Sequence, residues 1–450
     1  MEIGSRLELF LDRALLDSLD GLELKMHAPQ PAPPSPASFK GHYATVIQDG
    51  DLYRAYYRGY VAGYSGPYDE GNPGEITCYA ESWDGHHWEF PQLDLYGIRG
   101  PEGSNLILAG ESPFSHNFSP FLDTRPDVLP GERFKALAGV WQGGRGGLFA
   151  FFSSDGIRWH RVGEQPVITS VSRAFDSQNV AFWSGAESCY VCYFRTWETP
   201  HGQLRTITRV TSSDFVHWSP PVPMHPNLSG EHLYTSSTQP YIRAPHIYVA
   251  LPTRFVPERE GITDILLMTS RGGARYDRLF MEAFIRPGLD PERWGNRANY
   301  AAPSVVPTGP GEMSIYLAPS GLRYVLRTDG FVSVHAGHAG GEMTTKPFTF
   351  TGSDLTVNYS TSAAGSVRVE IQSPAGEALP QFGLEDCMTM VGDEIEGVVK
   401  WRHGGDLREL AGRPVRLRCL LQEADLYSMR FREPVPGGGA DCCREAVDAP

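Results

Sequence analysis

The chain has 450 residues, more than one ordinary hydrophobic core organises, so two domains or one large all-β domain with an appendage are expected. It carries 53 acidic against 39 basic residues, a formal net charge of -14, which argues against nucleic acid and anionic membrane as partners. No apolar run reaches the ~18 residues a membrane-spanning helix needs. The opening "MEIGSRLELFLDRALLDSLDG" shows neither the basic flank nor the small-residue cleavage site of an export signal, so a cytoplasmic protein is expected. The seven cysteines are scattered, and Cys189 and Cys192 fall in "SCYVCYF", which alternates as a strand and would point them to opposite faces. Reduced thiols follow from that reading.

In chain order the predicted elements are almost all strands. Glycine (49) and proline (36) punctuate the sequence every few residues. Between them lie short aromatic and β-branched runs: "HYATVIQ", "LYRAYYRGY", "EITCYAES", "RFKALAGVW", "GLFAFFSS", "NVAFWS", "SCYVCYFRTW", "RTITRVTSS", "HIYVALPTRF", "DILLMTS", "MSIYLAP", "RYVLRT" and "GFVSVHA". Three of them end in one motif, Ser-x-Asp-x-x-x-Trp: Ser82 to Trp88, Ser153 to Trp159 and Ser212 to Trp218. An aspartate there can accept the amides of the turn behind it, and the tryptophan can pack beneath the turn. Repeated at such intervals, the motif predicts four-stranded propeller blades. A fourth unit runs through "HIYVALPTRF" to "DILLMTSRGGARYDR", where the turn has lost its Asp and Trp, and a fifth runs from "APSVVP" to "GFVSVHA". The expected fold is therefore all-β, a five-bladed β-propeller over residues 1–338, with "LELFLDRALL" closing the ring on the last blade. Beyond it, period-two runs without Asp turns predict a β-sandwich over 339–433, and "PVPGGGADCCREAVDAP" a flexible tail over 434–450.

A five-bladed propeller with Asp turns and a C-terminal sandwich resembles the glycoside hydrolases of families 32 and 43, the invertase-like and arabinanase-like enzymes. The resemblance implies hydrolysis of a glycosidic bond, possibly furanosidic, with carboxylates at the starts of the innermost strands, facing a central funnel. It implies an oligosaccharide or glycoside as partner. The inner-strand starts here are "GHYATVI", "SHNFSPFLD", "FDSQNVAFW", "YTSSTQPYI" and "NYAAPSVV". His42 stands where an invertase-like enzyme shows its nucleophilic aspartate, and the third start alone carries an acid at its mouth, Asp176.

Two carboxyl groups must flank a bond that is to be hydrolysed. Asp176, followed by the polar Ser177, Gln178 and Asn179, is the first candidate. Glu282 is the second: it lies in "LFMEAF" on a long connection, where apolar surroundings would raise its pKa as a general acid requires. His42, His116, Asn117, Asp123, Gln178, Asn179, Arg243, His246 and Arg286 are candidate substrate ligands. Glu81 and Asp12 are lesser candidates, and Arg327 and Asp329 suit salt bridges between blades. His335, His338 and Glu342 share a glycine-rich loop without the register that would gather them on one metal, so no metal is expected. No Gly-x-Ser-x-Gly elbow and no phosphate-cradling glycine loop occur, and no cofactor is expected. Two other readings share this fold: a non-catalytic carbohydrate-binding propeller, and a polysaccharide lyase using His42 or His116 with a tyrosine.

Overall fold

The computed structural model describes residues 1–35, 37–142, 145–170, 174–403 and 406–433. The tail expected over 434–450 lies outside the described residues. The described elements are strands and a few short 3-10 turns, and the described chain divides into two compact units, residues 26–331 and residues 1–25 with 332–433.

In residues 26–331 the strands form a propeller of antiparallel sheets that follow one another along the chain. The first sheet holds His42–Asp49, Leu52–Tyr60, Glu75–Ser82 and Leu106–Leu108. The second holds Ser119–Leu122, Phe134–Ala138, Arg145–Ser153 and His160–Arg161, and the third Val180–Ser184, Cys189–Thr196, Thr206–Ser212 and Val222–Pro223. The fourth is broken at one level in all its strands, giving an upper piece (His232–Thr235, Thr253–Val256, Ile262–Ile265) and a lower one (Thr238–Tyr241, Ala244–Ala250, Met268–Ser270). The fifth holds Tyr300–Ala301, Val306–Gly309, Glu312–Ala318 and Leu322–Arg327, with Gln30–Pro31 added at its edge.

The Ser-x-Asp turns form as expected. Asp84 Oδ1 accepts the amides of His86 (2.7 Å) and His87 (2.8 Å). Asp155 does the same for Ile157 and Arg158, and Asp214 for Val216 and His217. Each serine hydroxyl caps the residue three positions on: Gly85, Gly156 and Phe215, all at 2.9 Å and all with positive φ. Trp159 and Trp218 donate their indole N–H back to the turn carbonyls of Gly156 and Phe215.

These turns also join neighbouring sheets. The turn of the first sheet meets the fifth, where Tyr316 donates to the Gly85 carbonyl at 2.6 Å. The second meets the first through Arg54 and the Asp155 carbonyl (3.1 Å). The third places Phe215 between Phe121 and Phe152 of the second. The fourth, without an aspartate, borrows a carboxylate: Glu187 of the third sheet accepts the Gly273 amide at 3.0 Å. The fifth presents Asp329 to Tyr241 (2.7 Å) and Arg243 (3.0 Å) of the fourth. The contacts run round in a circle.

The N-terminal strand departs from expectation. Leu7–Leu9 pairs with Arg416–Arg432, not with the last blade, and Leu7, Glu8 and Leu9 are all buried. Gln30–Pro31, both exposed, takes the edge position on Leu322–Arg327 instead, a place that tolerates proline.

The other unit is built on one sheet of eight strands dominated by the long Asp354–Gln372 and Arg416–Arg432, which pair along most of their lengths with irregularities at Asn358/Tyr359 and Thr361/Ser366. Its core includes Phe348, Phe350, Phe431, Trp401 and Leu417, with Phe350 and Phe431 stacked at 3.8 Å. His335, His338 and Glu342 each take a separate partner, Asp425, Glu423 and Arg418. Asp12 is buried here and caps the Ala14 amide.

Candidate active site

The starts of the inner strands converge on one mouth. His42 and Tyr43 come from the first sheet, His116 and Asn117 from the second, Asp176 from the third, Tyr234 from the upper piece of the fourth and Tyr300 from the fifth. In an antiparallel hairpin the end of the second strand lies beside the start of the first. That geometry adds Arg58, paired in register with His42, and Arg195, two residues past the Val180–Tyr193 pair. Arg205 and Arg297 arrive on loops. Tyr43 and Phe175 have φ of 48° and 71°, unusual for bulky residues, and each such residue costs about 1–3 kcal/mol that the surrounding fold must supply.

The tyrosines form a connected set. Tyr43 and Tyr300 have ring centroids 6.0 Å apart, Tyr234 and Tyr300 5.6 Å, and Tyr43 and His116 5.8 Å. Arginines stand over them: Arg58 4.9 Å from the Tyr43 ring, and Arg195, Arg205 and Arg297 4.7, 5.1 and 5.5 Å from the Tyr234 ring. Two buried carboxylates face this set. Asp176 is ion-paired with Arg195, and its backbone carbonyl accepts the Tyr43 hydroxyl at 3.2 Å. Glu75 lies 2.9 Å from His116 Nδ1 and 3.3 Å from Arg58 Nη1.

The cations set the protonation chemistry. Burial, then the charges of Arg58, His116 and Arg297, push His42 down from 6.5 to about 4, so it is neutral at pH 7. Burial pushes Tyr43 and Tyr300 well above the usual phenol range. Tyr234 goes the other way. Burial raises it, but Arg195, Arg297 and Arg205 outweigh burial and bring its phenol below its ordinary value.

His42, His116 and Asp176 lie together at the mouth. Asn117, Gln178 and Asn179 lie there too, but their amides serve the backbone. Asn117 bonds Gly139 through both ends of its amide (2.8 and 3.0 Å), and Gln178 ties the third sheet to Ala44 and Thr45 of the first. These residues brace the floor of the site rather than present ligands.

The remaining candidates sit elsewhere. Asp123, at the far end of its strand, is ion-paired with buried Lys135 at 2.8 Å and accepts the Tyr190 hydroxyl at 2.6 Å. Arg243 and His246 belong to the lower hairpin of the fourth sheet, Arg243 on Asp329. Glu81 accepts the Tyr79 hydroxyl. Glu282 and Arg286 are exposed, and Met281 beside Glu282 is exposed as well, so "LFMEAF" does not enclose its acid. Ala283, Phe284 and Ile285, which follow it, are all buried, so the apolar run covers the sheet with its later residues while Glu282 stays in solvent.

Two cavities lie along the inner strands, one beside the mouth and one toward their far ends. One of about 1010 Å³ lies beside the mouth, lined by Phe114, Gly139, Phe194, Thr196 and Thr208. Another of about 450 Å³ is lined by residues of all the inner strands, among them Ile47, Phe121, Phe182, Pro240 and Val305, and is mostly apolar.

No family model matches the sequence, and no curated protein matches it. Among solved structures the chain is similar to a family 43 arabinoxylan arabinofuranohydrolase from Bacillus subtilis in complex with cellotetraose, at 12% identity and TM-score 0.41 over 88% of this chain and 96% of that one. It is similar to a fructofuranosidase from Schwanniomyces occidentalis complexed with fructosylnystose, at 11% identity and TM-score 0.41 over 89% and 96%. It is also similar to a β-1,2-mannobiose phosphorylase from Listeria innocua, at 10% identity and TM-score 0.46 over 68% and 97%.

Proposed function

We propose that the protein is a glycoside hydrolase that cleaves an oligosaccharide at this mouth, with Asp176 and Glu75 as its carboxylate pair. One observation carries the reading: two buried carboxylates from different sheets, each paired with its own arginine, lie about Tyr43 where the inner strands converge, Asp176 through its backbone carbonyl and Glu75 through Arg58 and His116. Hydrolysis needs one group to protonate the leaving oxygen and another to activate water or attack the sugar. Glu75, hydrogen-bonded to His116, is assigned the acid, and Asp176, facing Arg195, the second role. The cavity beside the mouth offers room for neighbouring units of the chain. A furanosidic bond follows only from the family resemblance.

The test is release of sugar from a panel of aryl glycosides and oligosaccharides. Glu75→Gln and Asp176→Asn should each lower the rate by about a hundred-fold or more. Activity that survives either change removes that residue from the pair.

A second reading, elimination by a lyase, is favoured by Tyr234, whose neighbouring arginines make its phenol easier to ionise. Products would decide between them: hydrolysis adds water, whereas elimination leaves a conjugated double bond that absorbs in the ultraviolet.

A further inference from the structure

The mouth holds more positive charge than its own carboxylates neutralise. Arg58 is matched by Glu75 and Arg195 by Asp176. Among the described residues no carboxylate is ion-paired with Arg205 or Arg297. Yet both guanidinium groups lie within 5.5 Å of the Tyr234 ring that Arg195 also faces. Like charges gathered so closely repel one another unless something of opposite sign joins them. The excess is local, because the chain as a whole carries -14.

Arg205 is held in position. Its guanidinium lies 4.2 Å from the Trp197 ring and 4.6 Å from the Phe255 ring, with Nη1 3.4 Å from His232 Nδ1. Its Nε is buried with no hydrogen-bond partner. Arg297 is exposed and Arg205 half-buried, so a ligand can reach both. Glu258, an exposed acid, acts through its charge on His232. Burial and the neighbouring Arg195 charge bring the Arg205 guanidinium down from 12.5 to about 10, the mark of a cation short of anions.

We propose that Arg195, Arg205 and Arg297, converging on Tyr234, form a seat for an oxyanion, and that in the proposed hydrolase this oxyanion is the carboxylate of a uronic-acid sugar. The proposal rests on the hydrolase reading for the identity of the substrate, not for the seat itself. Guanidinium forks match a planar carboxylate. Inorganic phosphate would satisfy the same donors, so it is the other source to be distinguished.

The full-length protein would be titrated calorimetrically with the methyl glycosides of galacturonic, glucuronic and mannuronic acid, with their neutral counterparts, and with inorganic phosphate. At least one uronide should bind about ten-fold or more tightly than its neutral counterpart, and less tightly as salt is raised. Arg205→Gln with Arg297→Gln, both changes lying toward the surface, should remove that preference while circular dichroism stays unchanged. Phosphate binding without uronide binding would overturn the acidic sugar. Absence of binding by every anion, or an unaltered preference in the double variant, would overturn the seat. Release of neutral sugars with no preference for uronides would leave the hydrolase and remove the seat. Tight uronide binding without release of any sugar would do the reverse.

Discussion

Tyr316 donates its hydroxyl proton to the carbonyl of Gly85, 2.6 Å away, and so joins the fifth sheet of the propeller to the turn of the first. The bond is buried, and Tyr316 also packs edge-on to Trp88 at 5.6 Å. Tyr316→Phe keeps the ring and strips the donor, leaving the carbonyl without its partner. A loss of about 1–3 kcal/mol is expected in urea unfolding. A neutral result would mean that the circle of contacts does not depend on this bond.

The aspartate turns offer a second test. Asp214 is pushed far below the usual carboxylate range: burial opposes the shift, and the bonds from His217, Val216 and Ser212 outweigh it. Asp214→Ala, which frees the amides of Val216 and His217, should cost about 1–2 kcal/mol. Because Phe215 packs on Phe121 and Phe152, the loss should appear in the global transition and not only as local fraying.

Asp123 and Lys135 form a nearly inaccessible ion pair. Asp123→Ala leaves the lysine only Glu132, at 3.3 Å, and takes the acceptor from the Tyr190 hydroxyl, so it should destabilise by about 1–3 kcal/mol, whereas replacing Asp123 and Lys135 together by apolar residues of like volume should cost less. Sugar binding by the double variant, measured at a temperature where it is folded, should equal that of the parent. A specific loss of binding would return Asp123 to the site.

Glu282→Gln should leave both sugar release and stability within about 0.5 kcal/mol of the parent, since the side chain is exposed. A large loss of activity would place the loop over the mouth and displace Glu75 from the pair.

His42 supplies a pH dependence. Its folded value of about 4 lies below the ordinary 6.5, so between these values the unfolded chain binds more protons than the native one. Stability therefore rises with pH across that window and falls as acid is added from 6.5 towards 4. Melting temperatures taken through the window should show a shallower slope for His42→Gln than for the parent. Equal slopes would mean that the histidine is not held neutral by its neighbours.

Much of the fold was legible because its signals are local. Ser82, Asp84 and Trp88 state a turn within seven residues, and the same words recur twice. The fourth turn lost its aspartate, and its substitute, Glu187, comes from another sheet, so nothing near Gly273 announces it. The site was half legible. His42, His116 and Asp176 stand at inner-strand starts, where the family resemblance directed the search. Arg58 and Arg195 stand at the ends of the next strands, which antiparallel pairing brings to the same level. That signal was present in "SCYVCYFRTW", where Arg195 alone breaks an apolar run, and less plainly in "LYRAYYRGY", where Arg58 is the second of two arginines. Glu282 misled because its apolar neighbours in sequence are not its neighbours in space.

The pairing of Leu7–Leu9 with Arg416–Arg432 has a consequence for how the protein is made. On a ribosome Leu7–Leu9 emerges about 400 residues ahead of the strand it must join. Residues 26–331 can finish their circle, with Gln30–Pro31 in place, while Leu7 and Leu9 still lack a partner. During that interval a short apolar segment stays open to chaperones or to another nascent chain, and only the arrival of Arg416–Arg432 covers it.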